Sequence, residues 1–72
     1  MPIDWTAFGL MVKRHREALD LSQAEFAKRI GLKETLQGKI SLIERAEINE
    51  PAYEFVQLLK REIGLDRVPG ED

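Results

Sequence analysis

The stretch "LSQAEFAKRIG", Leu21–Gly31, decides how the chain is read. Ser22 and Glu25 stand in the spacing of a capping box, in which the Glu25 carboxylate reaches back to the Ser22 amide. Phe26, Ala27 and Ile30 then share one side of a short helix. Gly31 suits a left-handed exit from that helix. Ala27 sits four residues before Gly31. A small residue there lets a following helix cross closely, and the glycine permits the turn between the two.

Working outward, Asp4 can cap a helix beginning at Trp5. Trp5, Phe8, Val12, His15 and Leu19 recur at spacings of three and four and mark one buried stripe. Gly9 weakens this helix, and Asp20 suits a turn. After Gly31 a third helix is expected within Lys33–Ala46. Asn49, Glu50 and Pro51 then break the chain. Pro51 fits the first turn of a fourth helix, with Phe55, Leu58, Leu59 and Ile63 facing inward and Gly64 ending it. A short fifth turn is expected near Leu65–Val68, and "VPGED" reads as a frayed tail, about residues 66–72. No segment alternates as a strand. The expected fold is all-α, a single domain over 1–72 with four to five short helices.

A chain of 72 residues makes one domain at most. With no cysteine, neither disulfides nor thiolate ligands can stabilise it, which leaves helix packing or oligomerisation. No apolar run approaches the ~20 residues of a membrane span. "MPIDWTAF" lacks the features of a secretion signal, so a cytoplasmic location is expected. The net charge of −2 is unevenly spread. Residues 1–48 carry eight Lys/Arg against seven Asp/Glu, and residues 49–72 three against six. A neutral or basic face can therefore coexist with an acidic far side.

A short capped helix, a tight turn and a projecting helix form the arrangement that inserts into a major groove. Here the sequence resembles the Cro/repressor-type helix-turn-helix proteins, the XRE family. The resemblance runs through "LSQAEFAKRIG", then "ISLIER", Ile40–Arg45, then Pro51 and the apolar helix after it. It covers roughly residues 8–65 and is strongest at Ser22-Gln23, Ala27, Gly31 and Ile43-Glu44-Arg45. It implies a lambda-repressor-like domain with its helix-turn-helix at about 22–46. It also implies that Gln23 contacts the DNA backbone and braces the recognition helix, and that Arg16 forms a structural ion pair with Glu44.

The chain departs from the family pattern in three places. Gly31 and Ile40 are nine positions apart, three more than is usual. A second small insertion precedes Pro51. The basic residues usual after the recognition helix are replaced by "AEINE", Ala46–Glu50. At ~100° per residue, Leu32, Leu36, Ile40 and Ile43 fall within roughly 40° of one line, which favours a third helix extended back to about Lys33. Glu34, Gln37, Gly38, Ser41 and Arg45 then point outward, with Thr35 and Leu42 beside them. Two readings of Gly38 stay open. It removes bulk where the backbone approaches DNA, or it marks a kink or a later helix start. Gln37 and Ser41 could read bases, while Arg45, Lys33 and Lys39 could neutralise phosphates. The candidate DNA-binding set is Ser22, Gln23, Lys33, Thr35, Gln37, Gly38, Lys39, Ser41 and Arg45.

Other chemistries find little support. His15 has no second histidine and no cysteine for a metal site, and reads as a partly buried helix residue. The basic cluster Lys13–Arg16 is a solvated helix face or a phosphate contact. No carboxylate sits in a catalytic signature, and a chain this short offers little concave volume, so no enzyme activity, cofactor, metal or small-molecule effector is expected. The last helix carries more apolar area than one inward stripe needs. Stand-alone relatives dimerise through this part, and Tyr53, Val56, Leu65 and Val68 are the expected interface. The expected function is a homodimeric repressor binding double-stranded DNA at a palindromic operator, of phage or mobile-element type and possibly autoregulatory. The alternative is a helical protein–protein interaction module, such as an antitoxin or a derivative of the fold that does not bind DNA.

Overall fold

The computed structural model describes residues 3–48 and 51–70. Among them the fold is all-helical: α1 (Trp5–Ala18), α2 (Gln23–Arg29), α3 (Gly38–Glu44) and α4 (Tyr53–Ile63), with a 3₁₀ turn at Glu34–Leu36 and no strand. No described helix is long and apolar enough to cross a membrane.

Side-chain caps begin the first two helices. Asp4 Oδ1 accepts from the Ala7 amide at 2.9 Å. At α2 the Ser22 hydroxyl accepts from the Glu25 amide at 3.1 Å, and the Ser22 amide donates to Glu25 Oε1 at 2.8 Å. Both satisfy backbone donors that have no partner inside a helix.

The first three helices end alike. The amides of Asp20, Gly31 and Ala46 donate to the carbonyls of Glu17, Lys28 and Ile43, and the next amide in each case donates to the carbonyl one residue further back. This double closure requires left-handed backbone at its pivot. Accordingly φ is +58° at Asp20, +83° at Gly31 and +56° at Ala46. Glycine adopts that conformation freely, whereas Ala46 sits in it at a cost of about 1–2 kcal/mol.

Phe8 and Val12 of α1, Phe26 and Ala27 of α2, Ile40 and Ile43 of α3, and Leu59 of α4 have no exposed surface. α3 packs against α1 and α2, and α4 packs against α1. The α1–α3 crossing depends on Gly9. A Cβ there would collide with the Ile43 carbonyl oxygen and lie 3.2 Å from that of Glu44. Gly9 therefore weakens its helix in isolation but permits the central contact of the fold.

Several expectations change. Leu19 does not join the α1 stripe; it caps the helix and is 38% exposed. Pro51 precedes α4, whose N-cap is Ala52, while the expected break at Asn49 and Glu50 lies outside the described residues. Val56 takes a core place, and Leu58 is only half-buried. Leu65–Val68 forms a bend and no fifth helical turn. Nor is the described part of the tail frayed. Val68 is buried, and the Asp4 amide donates to the Pro69 carbonyl at 2.8 Å, closing the end of the chain onto the start of α1.

The largest change concerns α3. It does not extend back to Lys33, which is in extended backbone (φ −64°, ψ 149°). The three extra residues lengthen the connection from α2, and α3 begins at Gly38. Glycine costs roughly 1 kcal/mol in a helix interior, and a start at Gly38 keeps it out of one. Ile40 and Ile43 enter the core, Leu32 packs half-buried against its edge, and Leu36 is half-buried on the 3₁₀ turn. The helical-wheel line holds only for Ile40 and Ile43, because Leu32 and Leu36 precede α3 and do not share its periodicity.

The two glycines should consequently respond in opposite ways to alanine. Gly9→Ala is expected to lose about 1–3 kcal/mol through overpacking against α3. Gly38→Ala, with nothing within 4 Å of the new methyl group, is expected to gain about 0.4–1 kcal/mol by restricting the unfolded chain. Urea unfolding of both variants tests this, and a Gly9→Ala variant as stable as wild type would contradict the crossing geometry.

Candidate nucleic-acid interface

α3 is seven residues long and cannot hold its own orientation. Its C-terminal end is fastened by Glu44, whose side chain is 4% exposed. Arg16 of α1 grips this carboxylate with both arms of its guanidinium, Nε to Oε2 at 2.7 Å and Nη2 to Oε1 at 3.0 Å. Gln23 Nε2 adds a third donor to Oε1 at 3.1 Å. The remaining arm of Arg16, Nη1, donates to the Leu21 carbonyl at 2.8 Å and holds the α1–α2 connection. The hydrogen bond to Glu44 raises the guanidinium pKa above its ordinary value. The planar fork of arginine suits such a two-point grip. One carboxylate thus joins α1, the first residue of α2 and the end of α3, and no buried side-chain polar atom among the described residues lacks a partner.

The resemblance implied this pairing of Arg16 with Glu44 and a bracing role for Gln23. The other candidates divide into groups. Gly38, Ser41 and Arg45 share the outward side of α3, with Gly38 and Arg45 exposed and Ser41 half-buried. Arg45 is turned toward Glu47, with Nη2 3.4 Å from Oε2. Lys33 and Lys39 instead meet across an open groove of ≈ 240 Å³ lined also by Leu32, Leu36, Phe55 and Leu58. Thr35 is exposed on the 3₁₀ turn. Gln37 is half-buried at the N-cap of α3 and makes no side-chain cap bond. Ser22 is exposed, but its hydroxyl is used by the capping box.

The expected dimer residues also separate. Tyr53 is 77% exposed, whereas Val56 and Val68 are 8% and 3% exposed and belong to the monomer core. Leu65 is half-buried against that core. Val56 and Val68 thus serve the monomer core first, showing only their edges in a shallow groove beside Trp5, Pro51 and Tyr53.

A second polar cluster had no sequence signal, because its members come from three helices. Glu62 Oε2 of α4 accepts from Arg29 Nε of α2 at 3.0 Å and lies 2.9 Å from His15 Nε2 of α1. The His15 contact, and secondarily that of Arg29, pulls the Glu62 carboxyl below its usual pKa. The His15 ring also packs edge-on against Phe26, 6.2 Å between centroids. No group of three potential metal ligands occurs among the described residues. No family model, curated protein or solved structure matches the chain.

The pair is part-buried, so removing one partner should cost less than the ~3–5 kcal/mol of a fully buried pair. Arg16→Met or Glu44→Leu alone should therefore destabilise the domain by about 1–3 kcal/mol. The double variant should lose less than either single variant, since no charge is left buried without its partner. Urea unfolding of all four proteins checks the ordering.

Glu62 predicts a pH dependence. Its folded pKa is depressed, so its contribution is complete above the usual carboxylate value of about 4.3 and is lost as pH falls through the folded value. Glu62→Gln should be less stable than wild type at neutral pH, with the gap narrowing in acid. A constant gap down to pH ~3, well below that carboxylate value, would show that Glu62 does not contribute through its charge.

Proposed function

We propose that the chain is a sequence-specific DNA-binding regulator with a lambda-repressor-like helix-turn-helix, acting as a small homodimeric repressor on a palindromic operator. The observation that carries this reading is the fastening of α3. Its Glu44 carboxylate is neutralised by Arg16, hydrogen-bonded by Gln23 and turned away from solvent, while Gly38, Ser41 and Arg45 stay outward. A short helix presented in this way suits the major groove, ≈ 12 Å wide. Gly38 offers no side chain where the first turn would meet the duplex. Ser41 can contact either type of base, and Lys33, Lys39 and Arg45 can neutralise phosphates. Control of its own operon in a phage or mobile element is compatible with these features, as is a cytoplasmic location, and the reading requires neither catalysis nor a cofactor.

A second reading, a helical interaction module, draws on the net charge of −2, the turn of Arg45 toward Glu47 and the apolar groove beside Lys33 and Lys39. Salt separates the two. Binding of duplexes selected from a random-sequence pool, followed by fluorescence anisotropy, should weaken steeply with salt. Lys33→Ala and Lys39→Ala each remove one phosphate contact per protomer and should each reduce the dimer's salt slope by about 2, whereas Ser41→Ala should relax sequence preference and leave the salt slope unchanged. Absence of binding even at low salt would favour the interaction module.

A further inference from the structure

The outer face of α4 is unpartnered and carries an unusual charge arrangement. At ~100° per residue, Glu54 and Arg61 lie within about 20° of each other, on the side opposite the buried Phe55, Val56 and Leu59. Both are exposed, and neither forms an ion pair with another described residue. Gln57 and Leu58, both half-buried, lie between them, and Tyr53, 77% exposed, stands at the N-terminal end of the same face. A shallow depression lined by Tyr53, Glu54, Gln57, Leu58 and Arg61 runs along it.

We propose that this face binds the same face of a second copy, with the two α4 helices antiparallel about a two-fold axis between Gln57 and Leu58. An interface of this kind must be self-complementary: if residue i of one copy meets residue j of the other, j must also meet i. Glu54 and Arg61 are equidistant from the axis and opposite in charge, so each Glu54 meets the partner's Arg61, twice over. Gln57 and Leu58 pack at the centre. The Tyr53 ring lies beside the partner's Arg61, where a guanidinium favours an aromatic face. Antiparallel helices also place the acidic N-terminal turn of one against the basic C-terminal turn of the other, which complements both helix dipoles.

The proposal rests on the homodimer part of the proposed function and is independent of DNA. Sedimentation equilibrium of the full chain over a concentration series should show a monomer–dimer equilibrium that weakens with salt. Glu54→Arg and Arg61→Glu should each weaken the dimer about tenfold or more, since each sets like charges opposite one another at two symmetric positions. The double variant Glu54→Arg/Arg61→Glu restores opposite charges and should recover most of the loss. Circular dichroism verifies that the single variants remain folded. A dimer indifferent to the single changes, or a double variant that does not recover, would overturn this surface while leaving a homodimer in place. The groove between Trp5, Pro51 and Tyr53 would then be the next face to consider. A wild-type chain that stays monomeric throughout would overturn both the surface and the homodimer, leaving DNA binding to be judged by its salt dependence.

Discussion

The grip of Arg16 on Glu44 is the constraint on which the rest of the structure depends. α3 is too short to persist alone, and its own chain supplies only Ile40 and Ile43 to anchor it in the core. Apolar contact fixes its depth but is non-directional and says little about its rotation. A carboxylate held by three donors from α1 and α2 is directional, and it sets the rotation. Leaving that carboxylate without a partner would cost more than the interaction itself contributes, so the pair acts chiefly by excluding other arrangements.

Gly9 makes this geometry possible. The missing side chain lets the backbone of α1 approach the carbonyls of Ile43 and Glu44, which brings Arg16, two turns along the same helix, to the Glu44 carboxylate. The second cluster repeats the device, with Glu62 of α4 drawing together His15 of α1 and Arg29 of α2. In a domain whose core holds about a dozen side chains, two long-range polar clusters and a closing bond between Asp4 and Pro69 supply orientation that packing alone would leave loose.

The same economy bears on function. The apolar side of α4 is largely consumed by the core, where Phe55, Val56 and Leu59 are buried. What remains outward on α4 is polar and charged, apart from Tyr53 and the edge of Leu58. Association through such a face depends on charge placement more than on area. On α3 the outward residues are few and small, and Lys33 and Lys39 stand to one side with the lengthened α2–α3 connection. Any duplex contact would be shared between the helix and that connection.

Local structure was legible in the residues themselves. The cap at Asp4, the Ser22–Glu25 box, the turn at Gly31 and the end of α4 at Gly64 follow from hydrogen bonds spanning three to five positions, so their signals lie side by side in the chain. The pairing of Arg16 with Glu44 was legible only through resemblance, since 28 positions separate the two. Tertiary structure alone decided the rest: that Gly9 is the close-contact glycine and Gly38 a helix start, that Leu36 yields its core place, and that Glu62 finds His15 and Arg29. The physical reason is common to all of these. A helical wheel ranks which side of a helix turns inward, but how closely two helices approach, and which long side chains then meet, depends on the volume between them. That volume exists only once the chain is folded.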